Sequence, residues 1–238
     1  NASLQKSAMI LNMGAGDHSE AIAQARNIYE QGEKDLLTLL FVAAGDFKDK
    51  KTDKAISVLN EIPSDNAASF LQPVLKLWTN ALNDEISLKE VPQNPIYGYH
   101  ALLALDYLQR PGESRDFIET TLNNDITDIR DLDKVADLLA SHGETDRALA
   151  LYKKVQELGF TTNVIDQKII RIGQKKDIDD LLNLTEIKSP YDGIALVFQD
   201  MAEILYRDSN DDSALVFIQM ALYLNEESNR ARILHANI

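Results

Sequence analysis

Three times along this chain an alanine is followed, across a turn signal and at one fixed interval, by a second alanine: Ala43 and Ala55, Ala136 and Ala148, Ala202 and Ala214. Such a spacing restricts the fold sharply. Two helices joined by a short turn pack at close range only where small side chains let their backbones approach. Around these positions apolar residues recur with a helical period, as in Leu132, Val135, Ala136, Leu138 and Leu139, or Ala195, Phe198, Ala202 and Leu205. Period-two alternation, the mark of a half-buried strand, is hard to find. Turn signals interrupt the pattern at Gly14 to Asp17, Gly32, Pro63 to Asp65, Pro92 to Pro95, Pro111-Gly112, Gly143, Gly159 and Ser189-Pro190. The chain therefore reads as all-α, a succession of short antiparallel helix pairs.

The pairs are expected at 3–13 with 18–31, 34–48 with 52–62, 66–83 with a short 85–91, and 96–109 with 112–124. They continue at 130–142 with 145–158, 163–173 with 176–184, and 191–208 with 211–225, before an unpaired helix at 228–238. Asp17, Thr52, Thr145 and Asp211 or Asp212 fit the cap position, where a side-chain oxygen accepts from the free amides of a first turn. The whole of 1–238 reads as one continuous array. Its start at Asn1-Ala2 instead of Met points to a processed chain or an excised piece of a longer protein.

The order of large, small and aromatic residues around the paired alanines resembles the tetratricopeptide family. The clearest copy, in 129–159, reads Leu132, Val135, Ala136, Leu139, Gly143, Ala148 and Tyr152, departing from the family pattern at Leu132 and Phe160. A second, in 195–225, reads Phe198, Met201, Ala202, Leu205, Ala214 and Ile218. The third, in 33–62, has Leu39, Val42, Ala43, Ala55 and Leu59 but carries Asp46 where a large residue belongs, which is expected to distort its pairing. Ala21 precedes Ala55 by one full period of that family. Between these copies, 63–125 and 160–189 are degenerate, and Phe117 stands where a small residue is expected. The run as a whole is similar to the divergent multi-repeat tetratricopeptide proteins of alphaproteobacteria.

That resemblance implies a right-handed α-solenoid whose units pack through Ala43, Ala55, Ala136, Ala148, Tyr152, Ala202 and Ala214. It also implies that the first helix of each pair lines a concave surface, with Leu40, Ala44, Asp133, Asp137, Gln199 and Glu203 pointing into it. Lys and Asn at such positions would clamp a peptide's terminal carboxylate; acidic residues here reject one and favour a basic or amphipathic helical segment. The family further implies a cell-envelope or periplasmic location, the alternative being cytoplasmic.

With 24 Lys and Arg against 38 Asp and Glu, the net charge of −14 opposes nucleic acid and anionic membrane surfaces. Lys48, Lys50, Lys51 and Lys54 do cluster, but Asp46, Asp49 and Asp53 interleave with them, as on a solvated helix-turn rim. Cysteine is absent, which removes disulfides, thiolate metal sites and cysteine nucleophiles. No apolar run approaches the ~20 residues of a membrane-spanning helix. His18, His100, His142 and His235 lack a second ligand at helical spacing, and His142-Gly143 suits a helix C-terminus. Asp208 to Asp212 opens like a calcium loop, but Ser213 and Gln219 replace its glycine and its closing glutamate, so a helix-capping turn is the simpler reading. Gly14-Ala15-Gly16 lacks the strand and lysine of a phosphate loop and reads as a turn; Asp128 with Asp131 and Asp179 with Asp180 read as solvated faces, and Trp78 as core. The expected function is therefore non-catalytic and cofactor-free: a scaffold binding a segment of another protein. Two alternatives stand beside it, a self-associating or spacer segment and the regulatory part of an enzyme whose catalytic domain lies elsewhere.

Overall fold

A computed structural model describes residues 2–63, 71–86, 88, 95–123, 129–160 and 162–238. Thirteen α-helices and no strand occur among them: α1 (Ala2–Gly14), α2 (His18–Glu30), α3 (Leu36–Lys48), α4 (Thr52–Leu59), α5 (Leu71–Ala81), α6 (Pro95–Tyr107), α7 (Pro111–Asn123), α8 (Ile129–Ser141), α9 (Thr145–Glu157), α10 (Asn163–Gly173), α11 (Pro190–Arg207), α12 (Asp211–Leu224) and α13 (Asn229–Asn237). The fold is all-α, as the sequence predicts. Most of 85–91 lies outside the described residues. The expected helix at 176–184 is absent apart from a single 3-10 turn at Asp179–Leu181. There the Asn183 amide, which a continuing helix would turn onto its own preceding carbonyls, donates instead to the buried Asp137 carboxylate at 2.8 Å.

Caps fall one residue earlier than the sequence suggests: Lys51, Glu144 and Asn210 hold the cap position, and Thr52, Thr145 and Asp211 are the first helical residues. Asp17 does sit at the cap of α2, yet its side chain makes no cap bond. Side-chain caps come from Asp35, Thr162, Asn210 and Ser228, each accepting from a backbone amide three residues on.

One turn recurs along the chain. Gly16, Lys50, Asp84, Gln109, Gly143, Lys175 and Ser209 all have left-handed backbone conformation, with φ between 54° and 82°. In each case the following amide donates back to a carbonyl five residues earlier, closing the helix: Asp17 to Asn12, Lys51 to Asp46, Glu85 to Asn80, Arg110 to Leu105, Glu144 to Leu139, Lys176 to Arg171 and Asn210 to Leu205. Four of the six intervals between these residues, those ending at Lys50, Asp84, Gly143 and Ser209, are identical; Gly32 and Gly159, at the ends of α2 and α9, make the same turn outside that spacing. Where a second helix follows, it starts two residues after the left-handed residue, in α2, α4, α7, α9 and α12.

Aligned on this turn, the small residue five positions later is Ala21, Ala55, Ser114, Ala148 or Ala214, none more than 7% exposed. The expectation for Phe117 is corrected accordingly: Ser114 fills the small position of that unit, and Phe117 lies on the next turn of the same helix. Seven positions before the turn stand Ala43, Ala136 and Ala202, all fully buried, but also Met9, Leu77, Leu102 and Lys168.

By its contacts the chain divides into two compact units, residues 1–87 with 188–238 and residues 88–187. In the first, α1 packs on α2, α2 on α3, and α3 on α4, and the hairpin of α11 and α12 lies across them. α12 touches α1, α2 and α3, α11 touches α5, and α13 rests on α12. The earliest and latest helices of the unit thus meet, a grouping that the linear order of pairs does not announce. Two glycines mark its closest approaches. A Cβ on Gly45 would fall 2.6 Å from Ile22, and one on Gly193 would fall 2.1 Å from the indole of Trp78, which is fully buried. Asp46 does not part α3 from α4; 8% exposed, it accepts from Arg26 of α2 at 2.9 Å and ties two pairs together. In the second unit α6 packs on α7 and α8, α8 on α9, and α9 on α10.

Candidate interaction surfaces

The six residues expected to line a groove have different fates. Leu40 and Ala44 are fully buried, because α2, α4 and α12 leave no free side on α3 from Thr38 to Phe47. Gln199, 3% exposed, donates to Glu203 at 3.2 Å and accepts from Ser228 Oγ at 3.3 Å. Glu203 takes both arms of Arg230, at 3.0 and 2.9 Å, and so fastens α13 to α11. Asp137 is 2% exposed. As placed, Leu40, Ala44, Asp137 and Gln199 offer no surface to a partner, which corrects the expected lining. The expectation treats α3, α8 and α11 as one-sided helices, and each has more than one neighbouring helix. Asp133 is partly buried, and that burial holds its carboxyl above the usual carboxylate range.

Asp137 anchors a polar cluster inside the second unit. Its Oδ1 accepts from Tyr152 Oη and from Lys168 Nζ, each at 2.5 Å, and its Oδ2 accepts from the Asn183 amide at 2.8 Å. Lys168, 3% exposed, occupies on α10 the position that Ala136 holds on α8, and its ammonium lies 5.2 Å from the Tyr152 ring. Burial first, and then the adjacent Asp137 carboxylate, push the Tyr152 phenol far above its ordinary range. The Tyr152 ring is fully buried, and its hydroxyl bonds to the Asp137 carboxylate of the buried charge pair.

The lysine cluster is exposed, as the solvated rim read from the sequence requires, but two of its members also reach residues from far along the chain. Lys48 pairs with Glu226 at 3.2 Å and lies 5.4 Å from the Tyr223 ring. Lys50 sits 3.4 Å above Tyr191, whose hydroxyl is 2.9 Å from Thr52 Oγ1. Only the pairing of Lys51 with Asp49, at 2.8 Å, is of the expected local kind. Nothing in the local sequence could signal Glu226, Tyr223 or Tyr191, which come from the last quarter of the chain.

A cleft of about 600 Å³ opens in the second unit between the turn joining α6 to α7 and the turn joining α8 to α9. Its floor includes Ile118, Leu138 and Leu139, and its walls carry Asp106, Arg115, His142 and Glu144. His142 Nε2 lies 2.7 Å from Asp106 Oδ1, and Arg115 reaches Glu144 at 3.7 Å. Arg147 holds Glu144 from the other side at 2.7 Å and bonds Glu119 at 2.9 Å. With an apolar floor and paired charges of both signs, the cleft can seat an apolar side chain and exchange ion pairs at its rim. The sequence reading of His142 as a helix-end residue misses this, since Asp106 belongs to another pair.

The remaining motifs resolve simply. Asn210 caps α12, accepting from the Ser213 amide, and Gly16 forms the left-handed turn against Gln219. Asp180 pairs with Arg171 at 2.5 Å, while Asp128 lies outside the described residues. Among the described residues no cluster of His, Asp and Glu is arranged to hold a metal ion, and no helix is long and apolar enough to cross a membrane. No family model, no curated protein and no solved structure matches the chain.

Proposed function

We propose that the chain is a tetratricopeptide-like repeat scaffold, without catalytic activity of its own, that binds a basic or amphipathic helical segment of another protein. The observation that carries this reading is the left-handed helix-end turn, recurring at the period of that family with a buried small residue five positions later. Helical repeats of this kind act by presenting side chains on rigid helices. In the second unit Asp133 on α8 is a partly exposed acidic position, and elsewhere on the same helix Leu138 and Leu139, with His142 just past its end, line a separate cleft with an apolar floor.

The test is a binding titration with one amphipathic helical peptide in two versions, its charged face basic or acidic. The basic version should bind more tightly and lose that advantage with Asp133→Lys. Equal binding of both versions would remove the charge preference, and unchanged binding to the variant would remove Asp133 from the site. Glu203→Lys is unsuitable here because it would also release α13.

Self-association is a second reading, favoured by one feature. Leu4 and Leu11, 68% and 71% exposed, are two turns apart on α1, beside a groove of about 450 Å³ that includes Ala8, Ala23 and Ile28. Mass measured against concentration would separate the two, with a constant monomer mass excluding this second reading.

A further inference from the structure

Gln219 lies buried on α12 with a histidine at each end of its amide. His18 Nε2 is 2.9 Å from its Oε1, and His235 Nε2 is 3.0 Å from its Nε2. His18 is the first residue of α2, and His235 lies in the last turn of α13. One carboxamide therefore bridges three helices.

A carboxamide has one accepting end and one donating end, which limits how many protons the bridge can hold. With the amide oxygen toward His18, that ring donates from Nε2, and His235 accepts at Nε2 and must be neutral. A proton added to His235 can be accommodated: the amide turns over, its oxygen accepts from His235, and its NH2 group donates to His18 in the other tautomer. Two added protons cannot. Both Nε2 atoms then carry hydrogen, and whichever ring faces the NH2 group meets donor against donor. The limit holds for either assignment of the amide oxygen and nitrogen. We propose that this His–Gln–His bridge counts protons, holding α13 on α12 while at most one imidazole is charged and releasing it when both are.

His18 stands at the start of its helix and His235 near the end of its own. Asp17 and Glu20 flank His18 on its own segment. The Tyr223 ring of α12 lies 5.2 Å from His18 and carries Lys48 of α3 above it, and Lys48 is itself paired with Glu226. On the other side, Arg232 of α13 pairs with Glu227 at 3.9 Å, and Arg230 with Glu203 of α11. Among the described residues neither imidazole of the bridge makes an ion pair with a carboxylate, so no direct ion pair takes the place of the lost hydrogen bond. The bridge is therefore lost once both rings carry a proton, a state reached by acidification. Two other fastenings of α13, the Arg230–Glu203 pair and the bond from Tyr206 Oη to the Asn237 carbonyl at 2.9 Å, contain no imidazole.

Hydrogen exchange on the intact chain tests this, comparing α13 with α12 at about pH 7.5 and about pH 5 after correction for intrinsic rates. On acidification α13 should lose protection about tenfold relative to α12, the order that goes with one lost hydrogen bond. In Gln219→Glu a carboxylate accepts from both imidazoliums, and the loss should vanish. It should also vanish in His235→Gln, a change at a half-exposed site where one titrating ring remains. An unchanged α13 in the native sequence at low pH overturns the proposal, and so does an equal loss in His235→Gln.

Discussion

Replacing Lys168 by methionine leaves the Asp137 carboxylate buried with two neutral donors, Tyr152 Oη and the Asn183 amide, and without its counter-charge. Removing one partner of a buried pair costs about 3–5 kcal/mol. The two surviving hydrogen bonds place Lys168→Met at the lower end, about 3 kcal/mol. Asp137→Asn removes the other charge and strands a buried ammonium at a similar cost of about 3 kcal/mol. The double variant buries no charge at all. Its asparagine can still accept from Tyr152 or from Asn183 but offers one oxygen where there were two, so about 2 kcal/mol is the expected loss. The pair then couples by about 4 kcal/mol, far above the few tenths found between independent sites. Urea unfolding followed by far-ultraviolet circular dichroism gives the four values, and about 3 kcal/mol corresponds to a midpoint shift of about 2 M for a slope near about 1.5 kcal/mol per molar. Additive losses, with the double variant down by about 6 kcal/mol, would refute the argument from charge compensation.

Three further outcomes are expected. Gly193→Ala drives a Cβ into the Trp78 indole and should cost about 3 kcal/mol, against the gain that alanine normally brings to a helix, with red-shifted emission from the chain's single tryptophan. Gln109→Gly relieves a left-handed non-glycine residue and should stabilise the chain by about 1 kcal/mol in the same urea assay, whereas a loss would mean the side chain is needed there. Because the Tyr152 phenol is raised in the folded chain, its contribution is complete below the ordinary tyrosine range and is lost as the pH climbs above about 10. The urea midpoint should therefore fall between about pH 9 and about pH 11, and fall less in Tyr152→Phe.

Helix positions are legible because apolar spacing and turn residues speak locally: α8, α9, α11 and α12 each begin and end within one residue of the expected bounds. The repeat is half legible. Its turn requires a left-handed residue, and the sequence announces one only where that residue is glycine, at Gly16 and Gly143. Lys50, Asp84, Gln109, Lys175 and Ser209 adopt the same conformation without the compositional sign. Hence the unit of α6 and α7 reads as degenerate, with Phe117 standing out in place of Ser114. Surface positions are the least legible, because exposure depends on what returns from far along the chain. Leu40 and Ala44 are buried on a helix that α12 reaches from near the opposite end of the sequence. The Asp137 cluster draws on α8, α9, α10 and the backbone amide of Asn183, and no local pattern joins those four.

The scaffold reading is tested most directly by immobilising the chain, passing over it an extract of the cells it comes from, and identifying what is retained in low salt and released in high salt. A partner with a basic or amphipathic helical segment, retained by the native sequence and lost with Asp133→Lys, is the expected result. Retention of nothing but further copies of the chain, or of the same partner by the variant, would contradict it.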